Sequence, residues 1–248
     1  MAKRKLDPLT AEGGDHDVAP AKKARRARAS KTKDLVERTN ALDVTAFPVD
    51  AGWLSYRPKD SEDDYGILFT YSTTMPEEDL EACFYLVETT SRPDYEASSW
   101  GWHPKRKRRE MREPEMRYLT VRRKSSGAAE TAHCPIEGFL SFMITHDSEP
   151  PVPVLYVYEI HLAEKLRKVG LGHHLMQIAE DVAGRIELQK VMLTCFLSNV
   201  KARQFYERRG YATDVSSPGP RKTRNKTVKP DYVIMSKVVS PKAHEVSG

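Results

Sequence analysis

Arg167-Lys168-Val169-Gly170-Leu171-Gly172 joins a strongly apolar run to an amphipathic one, and the reading of that junction decides the fold. Upstream, Pro153 to Leu162 (Pro-Val-Leu-Tyr-Val-Tyr-Glu-Ile-His-Leu) is dense in β-branched and aromatic residues, the composition of a buried strand. Downstream, Leu171, Leu175, Ile178 and Val182 recur at i, i+4, i+7 and i+11, one face of an α-helix. Two glycines let the chain turn tightly and leave backbone N–H groups unobstructed. The first turn of the helix aims unpaired donors and a partial positive charge forward, and Arg167 and Lys168 add cationic side chains. Such a junction suits a phosphate or pyrophosphate. A dinucleotide fingerprint would want a third glycine where Leu175 stands, and a nucleotide P-loop would not continue Gly172 with His173-His174. Taken alone, an ordinary glycine-rich turn explains the motif equally well.

The bulk properties exclude several classes. At 248 residues the chain can bury one sizeable core, and with 30% charged residues and a mean hydropathy of −0.61 it reads as soluble. No apolar run reaches the roughly 20 residues of a membrane span, and no signal peptide is expected. Cys83, Cys134 and Cys195 are odd in number and lack CxxC spacing, so neither a disulfide framework nor a metal site is expected, and a reducing intracellular compartment is. His173 and His174 are adjacent on a helix and do not make an i, i+4 metal pair. Charge is uneven: residues 1–33 hold ten Lys/Arg and four Asp/Glu, leaving 30 and 31 elsewhere. This basic, apolar-poor tail cannot fold alone; it suits nuclear import or weak nucleic-acid contact, or simply solvates the protein.

Along the chain the expected elements are a short helix near 33–42, a strand Gly66 to Tyr71, and a helix begun by Pro76 and ended by Pro93. Strands are expected at Tyr118 to Arg122 and Gly138 to Thr145, with a poorly ordered loop at 125–135 between them. After the glycine turn come a helix, the apolar strand Lys190 to Phe196, a short helix Asn199 to Arg209 stopped by Gly210, and a last strand Tyr232 to Val238. One strand–helix–strand crossover among mixed elements implies α+β with part of the sheet parallel. The expected domains are a tail at 1–33, one folded unit at 34–239 and a frayed end at 240–248. The charged run Lys105 to Arg109 reads as a solvated helix face.

The ordered combination of Arg-x-x-Gly-x-Gly, helix, buried strand, Asn199, then Phe205-Tyr206-x-x-x-Gly210-Tyr211 resembles the GNAT family of acetyl-CoA-dependent N-acetyltransferases. That resemblance runs from about Gly138 to Val238. It implies a mixed central sheet splayed at the acetyl-CoA site, with helices on both faces. Tyr95 with Trp100-Gly101-Trp102, Tyr156-Val157-Tyr158-Glu159, Lys190-Val191-Met192-Leu193-Thr194, Ser216-Ser217-Pro218 and Asp231-Tyr232 further resemble the histone-directed, D-type subfamily of N-terminal acetyltransferases.

The resemblance implies roles. Backbone groups of Ile160, His161 and Leu162 would hold the pantetheine and thioester oxygen. Arg167, Lys168, Val169, Gly170, Leu171, Gly172 and His173 would take the pyrophosphate, and Asn199 would lie near the pantetheine. Tyr95, Tyr156, Tyr158, Thr194 and Tyr232 would hold the acceptor's first residues, with Trp100 walling the pocket and Trp102 packing. Asp147 is the nearest candidate to face a substrate arginine. Glu159 would be the general base, since a peptide α-amine, with a pKa of about 7.7–8.0, is easily deprotonated. Tyr158 or Tyr206 would protonate the leaving thiolate. Strand alternation sets Glu159 opposite Tyr156 and Tyr158 unless a bulge re-aims them. Glu159 could instead be a core carboxylate satisfied by an arginine or face solvent at a strand edge, and Cys195, with no activating His evident, reads as a buried structural thiol.

The function so implied is acetyl transfer from acetyl-CoA to the N-terminal amine of histone tails that begin Ser-Gly-Arg-Gly, by a monomer in nucleus and cytoplasm. Two other readings stay open: a lysine acetyltransferase of the same fold, and a non-enzymatic chromatin-binding module using the basic tail.

Overall fold

The computed structural model describes residues 34–59, 61–124, 134–147, 150–222, 224 and 227–240. The basic tail at 1–33, nearly all of the loop expected at 125–135, Ser148, Glu149 and the end from 241 lie outside the described residues.

The elements in chain order begin with α1 (Leu35–Asn40), β1 (Ser55–Tyr56), β2 (Tyr65–Tyr71), α2 (Glu77–Glu96) and α3 (Pro104–Met111). The sheet continues with β3 (Arg117–Arg123), β4 (Ile136–Asp147) and β5 (Val152–Leu162), and α4 (Leu171–Arg185) leads to β6 (Lys190–Phe196). Then come α5 (Val200–Arg208), β7 (Ala212–Thr213), β8 (Arg221–Lys222), β9 (Thr227–Val228) and β10 (Tyr232–Val238). Among the described residues the main sheet runs β1-β2-β3-β4-β5-β6-β10-β7, and β8–β9 is a separate ribbon. All neighbours in the main sheet pair antiparallel except β5 and β6, the parallel pair that the crossover through α4 requires. Residues of α1, α4 and one sheet face form one core, with Leu171, Leu175, Ile178 and Val182 at most 2% exposed. The other face packs against α2 and α3 through Leu80, Phe84, Val87, Met111 and Phe139.

Two features of this sheet set the position of the site. The β4–β5 register shifts so that Ser141 faces Glu159 while Phe142 faces Val157, which makes Tyr158 the extra residue of a β-bulge. The parallel pairing of β5 with β6 stops at Val157↔Leu193. Beyond it β5 is paired to β4 on one side only, while β6 continues against β10 to Phe196. The strands part there, and strand alternation is broken at the same residue.

Pro93 does not end the second helix. Residues through Glu96 remain helical, and Ala97 N–H reaches the Pro93 carbonyl at 3.0 Å. A proline inside a helix costs about 3 kcal/mol through its missing donor and ring clash. Burial of Tyr95, two residues further on, offsets it: its ring meets Trp102 and Phe196 edge-on at 5.4 and 5.0 Å.

The turn before α4 is strained in the way its glycine predicts. Lys168 and Gly170 have φ of 67° and 90°, both left-handed. Tyr56 of β1 donates to the Val169 carbonyl at 2.5 Å, and its hydroxyl crowds the place a Cβ on Gly170 would take. His174 packs beside the Tyr56 ring at 5.1 Å and its Nε2 lies 2.8 Å from the Trp53 carbonyl. A side chain at Gly170 would meet both a left-handed backbone, worth roughly 1–2 kcal/mol, and the tyrosine. Gly170→Ala should therefore lower the thermal midpoint by several degrees, at roughly 2–4 °C per kcal/mol for a protein of this size. Tyr56→Phe in the same chain should recover part of that loss in a calorimetric scan.

Candidate active site

The gap between β5 and β6 opens into a cleft of about 860 Å³. At one end lies the glycine turn. The first helical bond of α4 runs from His174 N–H to the Gly170 carbonyl, so the N–H groups of Leu171, Gly172 and His173 stand outside the helical ladder. Arg167, Lys168, Gly170, Gly172 and His173 line the cleft, whereas Leu171 is fully buried and Val169 packs on the core beneath. Arg167 Nε donates to the Leu162 carbonyl at 3.1 Å, bracing the loop against the end of β5. Lys201 and Arg208 of α5 extend the cationic lining and were not anticipated from the sequence. Arg209 donates to His173 Nδ1 at 2.8 Å; burial and the charges of Arg209 and Arg208 push the His173 pKa down and favour its neutral form.

The middle of the cleft is walled by Tyr158 to Leu162 on one strand and Leu193 to Phe196 on the other. With no partner strand on that side, alternate backbone groups of β5 face the gap, as a ligand with its own amides would require. Asn199 also lines the cleft, but its Oδ1 caps α5 by accepting from Ala202 N–H at 3.1 Å. Burial pushes the Cys195 thiol up to about 12, which fits a structural thiol rather than a nucleophile.

Glu159 sits where the strands part and is 8% exposed. The bulge brings it to the same face as Tyr158, against α2 and α3. Its Oε1 accepts from Lys107 Nζ at 2.7 Å and from the Tyr95 hydroxyl at 3.2 Å, and its Oε2 lies 2.6 Å from His161 Nε2. His161 Nδ1 in turn lies 2.5 Å from Thr90 Oγ1. Burial alone would raise the Glu159 pKa, but the Lys107 ammonium and the His161 contact outweigh it and hold the carboxyl well below the usual carboxylate range. Glu159 is thus ionised, with three donors already on it. Lys107 also donates to Glu110 at 2.5 Å, and all three charged groups are nearly inaccessible.

The solvated-face reading of the Lys105 to Arg109 run fails at Lys107, which is 5% exposed. The signal was present: Pro104 sets the helix start, and Lys107, Glu110 and Met111 at i, i+3, i+4 share one face with an apolar member.

The expected acceptor residues fall in two groups. Tyr95, Tyr158 and Thr194 line the cleft itself, as does Tyr206 from α5. Tyr156, Trp100 and Tyr232 lie just outside it. Tyr156 reaches Thr194 with its hydroxyl at 2.5 Å, and the half-buried Trp100 packs on Phe196 and Tyr232 at 5.4 and 4.7 Å. Trp102 stacks on Phe84, a packing role as expected. Asp231 accepts hydrogen bonds from the Ser99 backbone and hydroxyl, tying the loop before α3 to the one before β10. Burial pushes the Tyr156 phenol up to about 12, and those of Tyr158 and Tyr206 higher still, so all three keep their protons near neutrality. Asp147 shares the sheet face of Tyr156, but its carboxylate already accepts from Lys190 at 3.1 Å, and Lys190 also serves Asp214 at 2.8 Å. A substrate arginine would have to share that carboxylate with Lys190.

The fold and cleft together define an acyl-transferase architecture, and the chain belongs to the Acetyltransferase (GNAT) family, whose sequence profile matches residues 76–211. N-alpha-acetyltransferase 40 of Saccharomyces cerevisiae is 28% identical over 160 residues, 57% of this chain and 54% of the yeast protein. The chain thus aligns with about half the length of that relative. Two crystal structures of Arabidopsis thaliana NAA60, one with a bisubstrate analogue and one with acetyl-CoA, share the fold at a TM-score of 0.50. They are 16% and 14% identical, cover 71% and 70% of this chain, and are themselves covered to 99% and 98%.

The depressed Glu159 carboxyl also has a consequence for stability. A carboxylate whose folded pKa lies below its unfolded value of about 4.3 stabilises the fold above that value, and the contribution fades as pH falls toward the folded value. Urea midpoints of the parent and Glu159→Gln should therefore differ by a constant amount from pH 7 to 5 and converge below about pH 4. A gap that stays constant to pH 3 would contradict the ionised, Lys107-paired state.

Proposed function

We propose that the protein is an N-α-acetyltransferase of the D type (NatD), moving acetyl from acetyl-CoA to the N-terminal amine of histone tails that begin Ser-Gly-Arg-Gly. The observation that carries the reading is the placement of Glu159, bonded to Tyr95 and lining one cleft with Tyr158 and Thr194, at the parting of β5 and β6, with the glycine turn of α4 opening onto the same cleft. The kinship with N-alpha-acetyltransferase 40 and the Tyr95, Trp100, Tyr156 to Glu159 and Tyr232 pattern favour a peptide amine and the histone-directed subfamily. On this reading the turn of α4 and its cations hold the pyrophosphate, and the unpaired edge of β5 binds the pantetheine arm. The protein acts as a monomer, and residues 1–33 serve as a nuclear address for an enzyme found in nucleus and cytoplasm.

The chemistry follows from the charges. A peptide α-amine with a pKa of about 7.7–8.0 is partly neutral near pH 7.5 and needs no strong base. As its nitrogen attacks the thioester carbonyl it becomes cationic and far more acidic. Even a carboxylate as weakly basic as Glu159 can then take the proton, directly or through one water. The departing sulfur receives a hydrogen bond from Tyr158 or Tyr206, both held protonated by burial.

Purified protein with acetyl-CoA and three peptides tests this. A free Ser-Gly-Arg-Gly peptide should be acetylated, a blocked version carrying an added lysine should not, and an unrelated free N-terminus should lag far behind. Use of the blocked peptide would point to a lysine acetyltransferase, and no turnover with salt-sensitive DNA binding lost on removing 1–33 would point to a chromatin module. Glu159→Gln should reduce kcat by about 10²–10⁴-fold, the usual contribution of a positioned proton acceptor.

A further inference from the structure

The segment between Asp214 and Asp231 carries Arg221, Lys222, Arg224, Lys226 and Lys229 and no Asp or Glu. It holds the β8–β9 ribbon, which stands apart from the main sheet. Both ends of the segment are tied down. Ser216 N–H donates to Asp214 Oδ1 at 2.9 Å, and Ser217 Oγ accepts from Ile234 N–H at 3.0 Å. At the other end Leu197 N–H reaches the Asp231 carbonyl at 2.8 Å. The ribbon therefore projects from a held base next to Tyr232 and its ring partner Trp100, just outside the cleft.

Arg221, Lys222, Arg224 and Lys229 are exposed, and among the described residues none of them meets a carboxylate. Surface cations elsewhere behave differently: Arg92, Arg112, Arg123 and Lys165 each pair with an Asp or Glu. Clustered like charge without counter-charge repels itself and calls for an anionic partner. A basic acceptor peptide is not that partner. In the ribbon Arg221 stands opposite Val228 and Lys222 opposite Thr227, so alternation sends Arg221 and Lys222 to opposite faces. A two-stranded ribbon that is cationic on both faces matches the major groove of B-form DNA. That groove, about 12 Å wide, admits such a ribbon, and a phosphate backbone runs along each side of it. In duplex RNA the corresponding groove is too narrow to enter.

We propose that the β8–β9 ribbon is a docking surface for double-stranded DNA, seated in the groove with its cations turned to the phosphates on either side. Contacts of this kind read no sequence; they fix where the protein sits on the duplex. The place of the ribbon beside Tyr232 brings the acceptor end of the cleft to proteins carried on that duplex. Docking goes beyond acetyl transfer and does not depend on it.

Fluorescence anisotropy of the full chain with a labelled DNA duplex of about two helical turns tests this. Each phosphate contact contributes about 0.9 to the slope of log affinity against log salt concentration. Arg221→Gln/Lys222→Gln/Arg224→Gln/Lys229→Gln should reduce that slope by about 2–4 and weaken binding about tenfold or more at low salt. The thermal midpoint should stay that of the parent. Residues 1–33 bring cations of their own, so Lys22→Gln/Lys23→Gln/Arg25→Gln/Arg26→Gln/Arg28→Gln is the second background, and the ribbon's share of the slope should persist there. A slope that the ribbon substitutions leave unmoved in that background overturns the proposal, as does a parent that binds no DNA at low salt. An equal loss with duplex RNA of the same length, or with polyglutamate, overturns it too, because the ribbon is then a general anion surface. If the fourfold variant does not fold, Arg221→Gln/Lys222→Gln decides, with an expected change in slope of about 1–2. All of these are read without acetyl-CoA, so a failure here leaves the acetyltransferase reading standing.

Discussion

Everything in the cleft depends on two parallel strands that stop bonding to one another. β5 and β6 share three paired positions and then separate, and the bulge at Tyr158 falls at the point of separation. An unpaired strand edge inside a protein is unfavourable unless something supplies its hydrogen bonds. Here the same opening that exposes the edge of β5 also receives the end of α4, so backbone donors converge on it from two directions. The bulge adds a second effect: Tyr158 and Glu159, which alternation would send to opposite faces, both turn toward α2 and α3. A single irregularity thus makes room for a ligand and aims the carboxylate.

The charges beneath the cleft are arranged at some energetic risk. Removing a carboxylate or an ammonium from water costs several kcal/mol per ion, and a buried ion pair only sometimes repays it. Lys107, Glu110 and Glu159 do so by sharing donors closely, with Tyr95 and His161 filling further acceptor sites. Asp147, Lys190 and Asp214 repeat the pattern of one lysine between two acids further along the same face. Burial alone would raise Asp214, but the bond from Lys190 holds it low, and the residue stays charged. The face of the sheet beyond α2 therefore carries two clusters in which one lysine lies between two acids, beside apolar and aromatic side chains.

Much of this was legible in the sequence because it is local. The helix face of Leu171 to Val182, the strand Lys190 to Phe196 and the start of the last helix near Asn199 depend on spacing and composition within a dozen residues, and each lies where its pattern puts it. The glycine turn was legible too, since a left-handed φ has few alternatives to glycine. Pro93 misled because its local rule was overridden by burial of Tyr95, a tertiary effect. Lys107 was missed because a lysine in a run of five basic or polar residues looks solvated until a carboxylate 52 residues away is known to meet it. The bulge was foreseen only as a condition, since nothing in Tyr156 to Glu159 by itself says which residue is extra. Tyr56 gave no signal at all: its partner, Val169, is 113 residues distant.

That last contact links parts of the molecule that would otherwise open separately. β1 is two residues long and sits at the sheet edge, where backbone hydrogen bonds are easily lost to local fluctuation. Yet its Tyr56 holds the Val169 carbonyl, and Trp53 just before it holds His174 in the first turn of α4. Fraying of the edge strand therefore loosens the start of α4 as well, and the two segments form one cooperative opening unit. Amide protons near 53–56 and those at the head of α4 should therefore exchange with solvent together, and a ligand seated in the glycine turn should slow both.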